Sequence, residues 1–202
     1  MQANQAEVRA PHHRQLAPSA PGPEPVATQL HPRQARPALV SDITYVPTAQ
    51  GWLYLAAVLD LGSRKIVGWA MDATMKTTLT LEALRMALTQ RMIKPQAGAK
   101  DLPLIHHSDR GVQYASDDYQ HLLRQYGVQT SMSDRGDPRG CYDNAAMENF
   151  WATLKGELVH QERYVTYEHA RGSIFEYIEV FYNRVRLHST LGYQSPKRSR
   201  LA

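Results

Sequence analysis

Trp52-Leu-Tyr-Leu-Ala-Ala-Val-Leu59 decides the fold: it is apolar on both faces, yet far too short to cross a bilayer. A strand of this kind must be covered on both sides, and helices are the usual cover. Working outward, Leu39 to Val46 and Lys65 to Met71 are equally rich in β-branched and aromatic residues. The links between the three, Pro47-Thr-Ala-Gln-Gly51 and Leu61-Gly-Ser-Arg64, are short and turn-like. Strands joined so closely form an antiparallel meander.

Beyond the meander the apolar period changes. Thr77 or Thr78 is placed to cap a helix carrying Leu81, Leu84, Leu88 and Met92. Leu102 to His106 reads as a short buried strand. Ser116 heads a second helix with Tyr119, Leu122, Leu123 and Tyr126 on one face, closed by Gly127. Val128 to Ser133 is a further strand, followed by a loop from Asp134 to Tyr142. Asp143 or Asn144 then caps a third helix bearing Met147, Trp151, Leu154 and Leu158. A fourth starts near Thr166 and carries Ile174, Ile178, Phe181 and Val185. The order βββ-α-β-α-β-α-α describes an α/β fold, a mixed five-stranded sheet flanked by helices.

The chain of 202 residues, 43% hydrophobic, suits one domain with some tail. Residues 1–38 hold seven of the 12 prolines and few large aliphatics, so a disordered or atypical N-terminal segment is expected there. Residues 39–165 are the expected core, and 166–202 a C-terminal helix with a basic tail. No secretory leader or membrane-length run is visible, which points to a cytoplasmic protein without membrane partners. One cysteine, Cys141, permits neither an internal disulfide nor a Cys-rich zinc site, and His12, His13 and His31 lack the cysteines a zinc module needs. The net charge of +4 is compatible with a nucleic-acid partner. From Arg184 onward, Arg184, Arg186, Lys197, Arg198 and Arg200 occur with no acid, either facing DNA or as a solvated tail.

Three acids stand out by context. Asp42 lies inside an apolar strand, Asp109 ends another at His107-Ser-Asp-Arg-Gly111, and Glu148 opens the third helix. A carboxylate at the buried end of a strand is costly unless paired or bound to a cation. Three brought together repel until a divalent metal neutralises them, and an all-oxygen donor set fits Mg²⁺ or Mn²⁺. Glu148 and Lys155, seven apart, fall within about 20° on one helix face, so a metal ligand and a phosphate-binding cation share a stripe. The plainer reading remains open on these grounds: Asp42 at a strand edge, Asp109 in a turn, and Glu148 with Lys155 as surface charge.

The strings that carry this context resemble a known family. They are Ser41-Asp-Ile-Thr-Tyr45, Gly51 to Leu61, Ser63 to Met71, His107-Ser-Asp-Arg-Gly-Val-Gln-Tyr114, Ser131-Met-Ser133, Asp143 to Lys155 and Phe181 to Pro196. In that order, over about residues 39–198, they resemble the OrfB transposases of the insertion sequence 3 family, with a retroviral-integrase-like core. The resemblance implies a ribonuclease-H-like fold and a DDE enzyme, in which Asp42, Asp109 and Glu148 hold two Mg²⁺ or Mn²⁺ ions. It implies metal-dependent cleavage of transposon DNA ends and strand transfer. Lys155 falls on the family's basic position near the DNA end, and Arg184 and Arg186 are further candidates for DNA contact. The implied partners are transposon and target DNA, a homo-oligomer on DNA and a helix-turn-helix protein of the OrfA kind. The same resemblance makes Asp60 a structural residue, while its place in the sequence makes Asp143 an N-cap.

Three departures from the family pattern accompany the resemblance. The 38 residues between Asp109 and Glu148 exceed the family's usual interval, with the surplus in the Gly/Pro loop Asp134 to Gly140. Residues 1–38 do not resemble the family's helix-turn-helix lead-in, and Gly62 stands where an aromatic residue is usual. An active DNA-cutting enzyme is therefore weighed against a catalytically silent or truncated remnant that only binds DNA. A plain ribonuclease H does not account for the strings after Glu148.

Overall fold

A computed structural model describes residues 37–91, 104–109, 111–132 and 140–199. Strand β2 (Gly51–Asp60) lies between β1 (Ala38–Thr48) and β3 (Ile66–Asp72), antiparallel to both. Its alternate residues feed two cores. Leu53, Leu55, Ala57 and Leu59 face one apolar cluster, and Ala56 and Val58 face another. Both faces are covered, as an unbroken apolar strand requires.

The first hairpin is tighter than the sequence leads one to expect. β1 runs through Pro47 to Thr48, leaving Ala49 and Gln50 as the turn before Gly51, whose φ of +120° suits glycine. Its tip is tied down from elsewhere: Ala49 N donates to Tyr164 O (3.0 Å), and Tyr167 N donates to Gln50 Oε1 (2.8 Å).

Helix α1 (Thr77–Gln90) crosses back over β3, burying Leu81, Leu84 and Leu88. Its N-cap is Lys76 rather than a threonine, and Lys76 makes no side-chain cap; Thr80 Oγ1 instead donates to Thr77 O (2.9 Å). Met92 lies outside the described residues. The chain returns as β4 (Ile105–Ser108), parallel to β1, then passes through α2 (Asp117–Gln125) to β5 (Gln129–Met132). Ser116 is the N-cap of α2, although its hydroxyl donates to Gln113 O (2.8 Å) rather than accepting from the helix. Gly127, at φ +63°, ends that turn. The sheet order β3-β2-β1-β4-β5 is the expected mixed five-stranded sheet.

Helix α3 (Gly140–Leu154) begins earlier than the expected cap, so Asp143 falls within the helix rather than at its N-cap. It presents Met147, Trp151 and Leu154 to the sheet and runs into a π-helical turn, Lys155–Val159. Helix α4 (Tyr167–Glu176) starts at Thr166, whose side chain accepts from His169 N (3.1 Å). It too ends in a π-helical turn, Tyr177–Tyr182. The extra residue per turn rotates the buried face. Ile174, Ile178, Tyr177 and Tyr182 are in the core, whereas Phe181 and Val185, expected there from a regular helical period, are exposed at 40% and 58%. The C-terminal helix therefore shares the core of the sheet. Residues 1–36, expected as an atypical N-terminal segment, and residues 133–139, most of the expected Asp134 to Tyr142 loop, lie outside the described residues.

The string Tyr182-Asn183-Arg184 acquires a structural meaning here. Asn183 is buried, accepts from Ile66 N and donates to Ile66 O (both 3.0 Å), and so completes the outer edge of β3 as a strand would. Asn183→Ala leaves a backbone donor and an acceptor unpaired in the interior. It is expected to cost about 2–4 kcal/mol, read as a lowered denaturant midpoint at unchanged slope. A loss under 1 kcal/mol would mean the edge finds other partners.

Candidate active site

The register of the central parallel pair brings two of the expected acids together. Ser41 is paired with Ser108, so Asp42 and Asp109 follow as neighbours where the β1–β4 ladder ends. Side chains at matched positions of a parallel pair project to the same face. On β1 that is the face of Val40, which packs against α3. The carboxylate of Asp42 is half-buried and held from two sides. Trp151 Nε1 donates to Oδ2 (2.9 Å), and Ile43 N donates to Oδ1 (2.8 Å).

Burial pushes the Asp42 carboxyl up from its ordinary range, and the negative charges of Asp109 and Glu148 push it further. The bonds from Trp151 and Ile43 act the other way. All three acids thus share one electrostatic environment, with Glu148 reaching it from α3. Asp109 and Glu148 are exposed. Asp109 Oδ1 accepts from Gly111 N (2.9 Å), and a Cβ on Gly111 would lie 2.9 Å from that oxygen, so glycine permits the approach. Among the described residues, no group of three His, Cys, Asp or Glu side chains stands close enough to hold a metal ion as they lie. The sheet brings Asp42 and Asp109 side by side; Glu148 is nearby without closing on them.

Asp60 has different surroundings. It pairs with Leu39, three residues back along β1 from Asp42, so it sits at the other end of the sheet. Its Oδ1 accepts from Gly62 N and Ser63 N (2.9 and 3.1 Å), and its Oδ2 is paired with Arg91 Nη2 (2.9 Å). Those contacts shape the β2–β3 turn and tie the Asp60 carboxylate to it.

Of the expected cations, Lys155 opens the π turn and places Nζ 5.1 Å from the centroid of the Tyr45 ring. Arg186 is engaged by Glu157, with Nε donating to both carboxylate oxygens (3.0 Å) and Nη2 to Oε1 (2.8 Å). This pair and the Tyr177 hydroxyl hold the Glu157 carboxyl down despite its partial burial. Arg184 is exposed.

Sequence reasoning missed two features of the site. Trp151 reads as one more apolar residue of α3, yet it is the donor that orients Asp42; the signal available was its place three residues after Glu148 on the same face. On the opposite face of the sheet, His106 is wholly buried, with Nε2 beside Ser41 Oγ (2.8 Å) and Tyr119 OH (3.0 Å). Burial pushes its pKa down to about 3, so it remains neutral and fixes β1 to β4 just before the two aspartates.

Residues 32–138 match the model of the integrase core domain, and residues 126–196 match a second model of the same description. The chain belongs to the integrase core domain family. Among its relatives is the insertion element IS600 31 kDa protein of Shigella sonnei, 50% identical over 157 residues, covering 78% of this chain and 54% of that protein. The transposase for insertion sequence element IS904 of Lactococcus lactis is 47% identical over 158 residues, 78% of this chain and 58% of its own. Transposase InsF for insertion sequence IS3A of Escherichia coli is 46% identical over 156 residues, 77% and 51% of the two chains. This integrase core chain spans about half the length of the relatives it matches.

Solved structures agree on the fold. The integrase catalytic core domain of HTLV-2, in complex with magnesium, superposes with a TM-score of 0.56 at 12% identity, covering 80% of this chain and 93% of that one. The Mos1 transposase catalytic domain, solved with Raltegravir and Mn, gives 0.54 at 10% identity over 71% and 70%. The fold is the ribonuclease-H-like one of integrase and transposase cores.

Proposed function

We propose that this chain carries the catalytic core of a DNA transposase, a polynucleotidyl transferase that cuts transposon ends and joins them to target DNA. The observation that supports it most is the meeting of Asp42 and Asp109 at one end of the parallel pair, with Glu148 near enough to raise the same carboxyl group. Relatives named as transposases, one at 47% identity, support the same reading.

The donor set fits divalent Mg²⁺ or Mn²⁺. It offers hard carboxylate oxygens, and burial, with a smaller push from the charges of Asp109 and Glu148, disfavours an ionised Asp42, a penalty that a cation would offset. Asp42, Asp109 and Glu148 would hold a pair of ions. Such ions would supply activation of the attacking water or DNA 3′-hydroxyl and stabilisation of the leaving 3′-oxygen. The chain's own part is orientation. Trp151 and Ile43 fix Asp42, Gly111 N fixes Asp109, and Lys155 with Arg184 offers charge to DNA phosphates. Arg186 reaches phosphate only by leaving Glu157.

A homo-oligomer on DNA and a helix-turn-helix protein of the OrfA kind complete the proposed assembly. A cytoplasmic location fits work on DNA. No helix among the described residues is long and apolar enough to cross a membrane.

The test is cutting of a matched transposon-end duplex with Mg²⁺, with Mn²⁺ and with EDTA. Either cation is expected to support cutting and EDTA to stop it. Undiminished activity in EDTA would sink the metal mechanism.

A further inference from the structure

Arg64 takes no part in the site described so far. It lies in the β2–β3 turn with φ +59°, a left-handed backbone that suits glycine or asparagine better than arginine. Its side chain is half-buried, and among the described residues it makes no hydrogen bond or ion pair. The acids that could serve it are engaged elsewhere, Asp60 by Arg91 and Glu157 by Arg186. A guanidinium held part-way out of water with no anion is costly until one arrives.

Two further segments meet this turn at the outer edge of β3. Asn183 bonds to Ile66, two residues after Arg64, and the Asn183 carbonyl accepts from Lys197 N (3.0 Å). Arg184 follows Asn183, and Lys197 lies in the helical turn Pro196–Ser199; both are exposed and without an ion pair among the described residues. Each segment thus brings one uncompensated cation. Their field reaches inward. His188 packs edge to face on Tyr182, centroids 4.9 Å apart, and burial, then the charges of Arg186 and Arg64, push its pKa down to about 4, with Glu157 acting the other way. The edge is also well separated from the carboxylates. β3 lies two strand spacings from β1, about 10 Å, and Ile66 is level with Leu59 and so with Val40, about 7 Å behind Asp42. One phosphate cannot touch both places, but a duplex rising ~3.4 Å per base pair reaches from one to the other in about four. Fixed cations on three separate segments match a regular row of anions, which the phosphate backbone supplies.

We propose that Arg64, Arg184 and Lys197 form a docking ridge for the backbone of duplex DNA, about four base pairs from the phosphate that is cut. This rests on the DNA-cutting reading above. It adds a second point of contact, which sets the direction of the duplex across the sheet.

The experiment uses the full chain without metal, so that no cutting intervenes. The probes are two matched transposon-end duplexes, one natural and one with uncharged methylphosphonate linkages about four base pairs in from the end. The variant combines Arg64→Asn, which removes the charge yet suits the left-handed turn, with Lys197→Gln. On natural DNA it is expected to bind about tenfold more weakly than wild type, with the slope of log affinity against log salt flatter by about two. Wild type is expected to lose a similar factor on the uncharged backbone, and the variant to lose little more, because the same contacts are already gone. An unchanged salt slope in the variant, or an uncharged backbone that weakens both proteins equally, would overturn the ridge. So would a variant that only loses self-association in sedimentation, since the charges would then face another copy. Should the double variant fail to fold, Lys197→Gln alone, on its exposed turn, carries the test with a slope change of about one. A chain with the ridge that never cuts in Mg²⁺ fails only the earlier reading; one that cuts while the variant binds like wild type fails only this one.

Discussion

Glu148→Gln is expected to abolish metal-dependent DNA cutting and joining while DNA affinity holds or rises slightly. The side chain keeps its length and hydrogen-bonding capacity, and its position on α3 is exposed, so the fold loses nothing. What goes is one of the three proposed negative ligands. Losing about 4 kcal/mol of transition-state stabilisation corresponds to about a thousandfold in rate. Binding moves the other way because a charge that repels phosphate has been removed. The same substitution relieves Asp42, whose carboxyl Glu148 helps to raise. Lys155→Ala is the contrasting change: DNA affinity falls and the slope of log affinity against log salt flattens by about one. Rates at saturating DNA should separate the two variants, the first dead and the second largely restored. Full activity in Glu148→Gln, or loss of its cooperative melt, would remove Glu148 from the catalytic set.

The sequence was most legible where burial is dense. The two-faced apolar run of β2 specifies its own central place, and the short links around it leave only a meander. Asp42 and Asp109 stood out because a carboxylate in an apolar strand needs a reason. Less was visible where geometry depends on departures from regular periods. The π turns at Lys155–Val159 and Tyr177–Tyr182 insert a residue into the helical count, so a 3.6-residue period puts Phe181 and Val185 on the wrong side. Trp151 was hidden for another reason. An indole reads as hydrophobic mass, and only its position opposite Asp42 reveals the N–H as a donor. Asn183 was recognisable as part of a string, yet its role in closing the β3 edge depends on a partner 117 residues away. Long-range hydrogen bonds of that kind leave no periodic trace.

Gly68→Ala is expected to be the most damaging single methyl in the described fold, destabilising it by about 3 kcal/mol or more. Gly68 sits in the middle of β3, where a residue without a side chain ordinarily weakens a strand. A glycine there implies that another backbone passes close, and α1 does. A Cβ at this position would stand 2.7 Å from Ala87 N and 2.8 Å from Ala87 Cβ, and closer still to Ala83 O. Two of those three atoms are helix backbone, so no rotamer change relieves the clash; α1 itself has to lift from the sheet. Ala83 and Ala87 are small and buried for the same reason, and together with Gly68 they set the separation between helix and strand. Lifting α1 opens the cluster formed by Leu79, Val58 and Val67, so strain is compounded by lost packing. The damage falls on the face opposite α3, away from the side where Asp42 meets Trp151. Gly68→Ala should therefore lower the melting temperature sharply while the fraction still folded binds DNA normally. A variant that melts within a degree or two of wild type would show that α1 can move away from β3 at little cost, and the close approach at Gly68 would then not be what seats the helix.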